Sequence, residues 1–211
     1  MPEIKTVHLA PGLTLRHVAV GPMSNNAYLV SDAEGRALLV DAAAEPDVLR
    51  ELVADVTVET ILTTHRHHDH IGALAELAGA TGAQTVCGRP DAEAITAATG
   101  VPCEPLWTGD QLALGQHRFG IIGLVGHTPG SITVVVRPDA SPVQLFTGDS
   151  LFPGGVGKTG SPEDFTSLLD GVTSQLFDIF DDDTVVWPGH GEPTTLGAER
   201  PHLDEWRQRG W

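Results

Sequence analysis

The chain has 211 residues, 41% of them apolar, which suffices for one hydrophobic core near the upper size that a single core supports. One domain spanning residues 1–211 is therefore expected. Its 12 Lys and Arg stand against 28 Asp and Glu, a formal net charge of −16 that would repel a phosphate backbone and argues against a nucleic-acid partner. No apolar run approaches the ~20 residues of a membrane span, and Met1-Pro2-Glu3-Ile4-Lys5 lacks the basic-then-apolar start of a secretory leader. The expectation is a cytoplasmic protein with no membrane partner.

Leu13 to Val20, Ala27 to Ser31 and Ala37 to Val40 read as strands, separated by the turn-formers Gly21-Pro22 and Asp32-Ala33-Glu34-Gly35. The pattern then alternates. Asp47 to Ala54 reads as helix, Val58 to Thr63 as strand, Ile71 to Ala80 as helix, Gln84 to Cys87 as strand and Asp91 to Thr99 as helix. Cys87 and Cys103, two thiols in so long a chain, give no disulfide framework and are expected to be reduced. Strands follow at Phe119 to Val125, Ile132 to Val136 and Val143 to Thr147, then a long helix near Pro162 to Phe180, a strand at Val185 to Trp187 and an amphipathic helix at Glu199 to Arg209. Strands in both halves with helices between them predict an α/β (α+β) fold in which two sheets pack together with helices outside, an αββα sandwich.

Thr64-His65-Arg66-His67-His68-Asp69-His70 places four histidines and an aspartate in six consecutive positions, a density that no structural role requires. His68 is the weakest candidate of the five. The cluster follows the apolar strand Val58 to Thr63. Three further strands end the same way: Ile121-Ile122-Gly123-Leu124-Val125 leads to His127, Val143-Gln144-Leu145-Phe146 to Asp149, and Val185-Val186-Trp187 to His190. In layered α/β proteins the carboxyl ends of strands are where ligands bind, so the four tips are expected to converge on one site. Glycines flank these positions and let loops turn tightly and backbone approach closely.

The set is His65, His67, Asp69, His70, His127, Asp149 and His190. It contains imidazole and carboxylate and no thiolate, which suits Zn, Fe or Mn better than a closed cysteine-rich structural zinc site. Seven donors exceed what one tetrahedral ion uses. Two divalent ions, Zn first among them, sharing a carboxylate and a water-derived hydroxide accommodate all seven and leave positions open for chemistry. Asp41, at the end of Ala37 to Val40, is placed to orient a ligand histidine.

His65, His67, Asp69 and His70 spell HxHxDH, and with Gly-His-Thr-Pro-Gly-Ser around His127, Thr-Gly-Asp-Ser-Leu-Phe around Asp149 and Pro-Gly-His-Gly around His190 the chain resembles the metallo-β-lactamase superfamily. The resemblance runs over roughly residues 25 to 195. It implies that His65, His67 and His127 serve a first metal and Asp69, His70 and His190 a second, with Asp149 as the bridge. Asp149 and Asn25-Asn26-Ala27-Tyr28-Leu29-Val30 look like glyoxalase II, in its short relatives without an additional C-terminal helical domain.

That resemblance implies hydrolysis of a small hydroxyacyl thioester by a metal-bridging hydroxide. Asp69 would anchor and orient that hydroxide, and Lys158, after Gly154-Gly155-Val156-Gly157, would contact the thiol carrier. The main rival is a persulfide dioxygenase of the same fold, with one iron held by His65, His127 and Asp149. Lactonase is disfavoured because Tyr28 is the sole tyrosine, and nuclease because of charge.

Overall fold

A computed structural model describes residues 2–210 of the chain; Met1 and Trp211 of the expected domain lie outside the described residues. Its first half forms a seven-stranded sheet in simple chain order: β1 (Lys5–Ala10), β2 (Leu13–Val20), β3 (Asn25–Asp32), β4 (Arg36–Val40), β5 (Thr57–Thr63), β6 (Gln84–Gly88) and β7 (Glu104–Leu106). Strands β1 to β4 are an antiparallel meander, and β4 to β7 run parallel. The parallel strands are joined by crossovers holding α1 (Pro46–Leu52), the short α2 (His68–Ile71), α3 (Leu74–Thr81) and α4 (Ala92–Thr99).

The second half forms a six-stranded sheet from β8 (Gln111–Leu114), β9 (His117–Leu124), β10 (Ser131–Val136), β11 (Gln144–Gly148), β14 (Val185–Pro188) and β15 (Thr194–Thr195), ordered β15-β14-β11-β10-β9-β8. Between β11 and β14 lie a small hairpin, β12 (Leu151–Phe152) with β13 (Gly155–Val156), and α5 (Pro162–Val172). After β15 the chain continues through α6 (Leu196–Glu199) to α7 (Leu203–Arg209).

Three apolar layers show why the strands carry near-continuous hydrophobic runs. Alternate residues of a strand point to opposite faces, so Tyr28 and Val30 of β3 pack between the sheets with Phe119, Ile132, Phe146 and Trp187, while Ala27 and Leu29 pack outward against Leu49, Leu52, Leu74 and Leu77. On the far side Leu145 and Val186 face Leu168, Leu169, Phe177 and Trp206. Both faces of each sheet are covered, which is the αββα sandwich expected from the sequence.

The expected helix over Ile71 to Ala80 is interrupted. A Cβ on Gly72 would meet the Ala43 carbonyl at 2.7 Å, and Ala73 N–H donates to Ala42 O at 3.0 Å, so the chain presses against the Ala42-Ala43 backbone and restarts as α3. The expected long helix likewise ends in a wider turn, Thr173–Phe177, in which Asp178 N–H reaches Thr173 O. The helix expected over Glu199 to Arg209 is split by a turn at Arg200–His202, where Pro201 follows α6. Sequence reading finds no strand at β1, β7, β8, β12, β13 or β15. β1 is partly exposed at a sheet edge, and the others are only two to four residues long. Among the described residues no helix is long and apolar enough to cross a membrane.

Candidate metal centre

Strands β5, β9, β11 and β14 all end at one edge of the sandwich, and each releases a loop there: Thr64 to His70, Val125 to Gly130, Asp149, and Gly189-His190. These loops bring all seven sequence-predicted side chains together. His65 and His70 are fully buried, and Asp69 and Asp149 each keep 12% of the side chain exposed. His68 points away, its side chain 90% exposed. A Cβ on Gly189 would run into Asp149 Oδ1 and His70, so the glycine before His190 is what lets that strand tip approach the other two.

The donor atoms form two triangles. In one, His65 Nε2 lies 3.1 Å from His67 Nδ1 and 3.2 Å from His127 Nε2. In the other, His70 Nε2 lies 3.3 Å from His190 Nε2, and Asp69 Oδ2 lies 3.4 Å from His190 Nε2 and 3.7 Å from His70 Nε2. Asp149 stands between them, with Oδ2 3.5 Å from both His127 and His190 and Oδ1 3.4 Å from His70. Donors held about 2.0–2.1 Å from an ion in tetrahedral array are roughly 3.4 Å apart, so these separations fit metal coordination.

Hydrogen bonding on the far side of four of the rings says which nitrogen faces the cluster. His127 Nδ1 faces the Lys158 carbonyl at 2.7 Å and His190 Nδ1 the Met23 carbonyl at 3.0 Å; a carbonyl only accepts, so both Nδ1 atoms carry the proton. His70 Nδ1 donates to Asp41 Oδ2 at 2.7 Å. Thr64 Oγ1 donates to the same oxygen and accepts from His65 Nδ1 at 3.1 Å. The Nε2 atoms of these four rings therefore face one another, next to Asp149 Oδ1, which is buried and has no hydrogen-bond partner. Ring nitrogens gathered this closely around an orphaned carboxylate oxygen present a cluster suited to cations. The cluster is able to hold two metal ions.

Burial opposes the charge on Asp149, but the facing His190 and His70 rings hold its carboxyl well below the usual range. Burial also opposes charging His70, yet Asp41 and Asp149 outweigh it and raise the imidazole to about 10. His65 is pushed well below its ordinary value, by burial first and by His70 second. The pocket thus draws positive charge while denying a proton to the ring at its centre.

Asp41 lies beside the cluster, 1% exposed, accepting from Thr64 and His70. Lys158 meets the centre through its carbonyl, not its side chain. That side chain is exposed and lines a cavity of about 440 Å³ with Val156, Gly157, Phe165 and Arg209. Sequence reading places Asn25 in the motif that carries the resemblance but gives it no role, whereas its Nδ2 donates to Asp69 Oδ2 at 2.8 Å; it also gives no role to Asp91, a buried carboxylate behind the loops. Neither stands in a metal-ligand spacing that would mark it. A larger cavity, about 510 Å³ beside Arg36, Arg118 and Arg137, sits at the opposite strand ends, away from the cluster.

With this fold and this edge in place, the family profile described as the metallo-beta-lactamase superfamily matches residues 20–190, and the chain belongs to that superfamily. Among proteins it is similar to, the hydroxyacylglutathione hydrolase GloC of Haemophilus influenzae is 28% identical over 89% of this chain and 95% of that one. The crystal structure of ETHE1 from Myxococcus xanthus is 30% identical with a TM-score of 0.76, covering 90% of this chain and 82% of that one. A structure of TTHA1623 in a di-iron-bound form is 32% identical with a TM-score of 0.70, covering 87% and 96%.

Proposed function

We propose that this protein is a two-metal hydrolase of a small hydroxyacyl thioester, acting in the cytoplasm without a nucleic-acid or membrane partner. The observation that carries the reading is the pair of donor triangles sharing Asp149, which gives work to all seven side chains. The similarity to a hydroxyacylglutathione hydrolase along nearly that protein's whole length supports the substrate class. The donor set accepts Zn, Fe or Mn, and zinc is the ion we assign.

Two divalent ions held here would supply Lewis acidity, bringing the pKa of water to about 7 and steadying a developing oxyanion. His65, His67 and His127 would hold one, Asp69, His70 and His190 the other, and Asp149 both. Asn25 fixes Asp69 through Oδ2, so the Asp69 carboxylate is oriented to steer the attacking water. The thiolate leaves unaided, since thiols ionise near pH 8.5, and the site needs no strong general acid. Lys158 and Arg209, on the same cavity wall, bind a carboxylate at the carrier end of the substrate.

The one-iron dioxygenase alternative uses His65, His127 and Asp149 and leaves His67, Asp69, His70 and His190 without a task. The test is metal analysis of protein purified without added metal, run beside thioester-cleavage and oxygen-uptake assays. About two Zn per chain with thioester cleavage and no oxygen uptake is expected. One Fe with persulfide-dependent oxygen uptake would overturn the proposal.

A further inference from the structure

Asp91 is fully buried, belongs to neither donor triangle, and precedes α4 on the back of the metal loops. Its Oδ2 accepts two hydrogen bonds from two different loops: the Arg66 N–H at 3.0 Å and the Thr128 hydroxyl at 2.6 Å. Arg66 is the residue between His65 and His67, and Thr128 is the residue after His127. One carboxylate oxygen therefore ties together the backbones that deliver all three histidines of the first triangle. Thr128 is further locked by Ser131 at 2.8 Å, and both are 2% exposed. A Cβ on Gly130 would collide with the Asp91 backbone and side chain, so the His127 loop lies directly on this residue.

Asp91 Oδ1 has no hydrogen-bond partner; only Arg66 Nε approaches, at 3.7 Å. A buried carboxylate with one oxygen left unpaired is costly to keep. Asp41 serves the other triangle more directly, by accepting from the His70 ring itself.

We infer that Asp91 is the positioning residue of the three-histidine metal position, as Asp41 is of the position that includes His70. It touches no donor atom. It acts by fixing the backbone on either side of His65-Arg66-His67 and next to His127, so that three imidazoles meet at ion-coordination distance. This inference rests on the two-ion reading given above. A separate backbone link, Ile132 N–H to Thr64 O at 2.9 Å, joins the same two regions and keeps them docked when Asp91 is replaced.

Asn and Leu replacements separate positioning from bulk stability. An Asn amide oxygen in the place of Oδ2 still accepts from Arg66 and Thr128, while its buried NH2 has no acceptor, so Asp91→Asn destabilises without loosening the loops. Asp91→Leu fills the space and accepts nothing. Both are made in a His190→Ala background, where the second triangle has lost a donor, and Zn2+ is titrated against a chromophoric chelator.

Asp91→Leu is expected to weaken Zn2+ binding about 10–100-fold, the range for losing a residue that orients metal ligands, while Asp91→Asn stays near the parent value although both melt lower. Equal Zn2+ affinity in the Leu and Asn variants, or weakening that follows melting temperature alone, overturns the inference. If Asp91→Leu does not fold, Thr128→Val cuts one of the two links with Asp91 intact. A several-fold weakening is then expected, and none overturns it. No substrate enters these titrations, so failure of the thioester reading leaves them unchanged. Failure of the two-ion reading shows in the wild-type stoichiometry before any Asp91 variant is made.

Discussion

Asp41→Asn is a nearly isosteric change with a computable consequence. Asp41 sits at φ 59°, a left-handed conformation that Asn tolerates better than most residues, so the backbone should be undisturbed. The carboxylate accepts three hydrogen bonds, from Thr64 N–H on Oδ1 and from the Thr64 hydroxyl and His70 Nδ1 on Oδ2, each at 2.7 Å. An amide has one accepting oxygen. If it faces His70, the NH2 group confronts the Thr64 N–H; if it faces Thr64 N–H, the NH2 group confronts His70 Nδ1 and drives the proton to Nε2, inside the cluster. Either way one buried donor is stranded, at about 1–3 kcal/mol, and one charge-assisted bond is weakened, giving a loss of roughly 2–4 kcal/mol. Metal affinity should fall about 10–100-fold, which corresponds to roughly 1.4–2.8 kcal/mol. Urea denaturation of the metal-free protein measures the first quantity and chelator competition the second. Stability within about 0.5 kcal/mol of wild type, the usual range for a neutral surface change, together with unchanged affinity, would refute the role given to Asp41.

Asp149→Ala should lower the occupancy of both ions together, whereas His190→Ala should weaken one; metal analysis after gel filtration distinguishes them, and two retained ions in Asp149→Ala would remove the bridge. Lys158→Ala and Arg209→Ala should each raise KM for a carboxylate-bearing thioester with kcat nearly constant, because a contact equal in ground and transition states changes binding alone; the effect should shrink in high salt. A fall in kcat at saturation would move either residue to the reacting centre. Asp32 is held below its ordinary 3.8 because the Arg36 hydrogen bond and charge outweigh the burial that opposes ionisation. A depressed carboxyl contributes stability above its unfolded value and loses it as pH falls through the lower folded value. Asp32→Asn should therefore melt below wild type at pH 7, with the gap closing below about pH 4; a gap that is constant with pH would assign the effect to packing.

The parts of this molecule legible in the sequence are those whose chemistry is local. His65 to His70 announce themselves by density, and His127, Asp149 and His190 by the apolar run before each and the glycines beside them. The sandwich followed from strands in both halves of the chain with helices between them. The roles of Asp91 and Asn25 were not legible because what makes them matter is a partner far along the chain: Thr128 for one, Asp69 for the other. A lone aspartate before a helix reads as a helix start. The break at Gly72 was hidden for the same reason, since the Ala43 carbonyl that forces it belongs to another segment. Lys158 was legible as a position, but only the structure shows its carbonyl fixing His127 while its side chain lies elsewhere.

The two sheets are consecutive in the chain, one built from residues 5–106 and the other from residues 111–195. Each donor triangle takes two members from the earlier sheet and one from the later: His65 and His67 with His127, and Asp69 and His70 with His190. Neither half alone owns a complete coordination set. During synthesis the first sheet can finish pairing while its inner face, with Leu15, Tyr28, Val30 and Leu38, still waits for its cover. Ions captured at this edge would act as rivets through two separately made plates. Loading would then certify that the halves have met in register, and the same ions would oppose their parting at that edge.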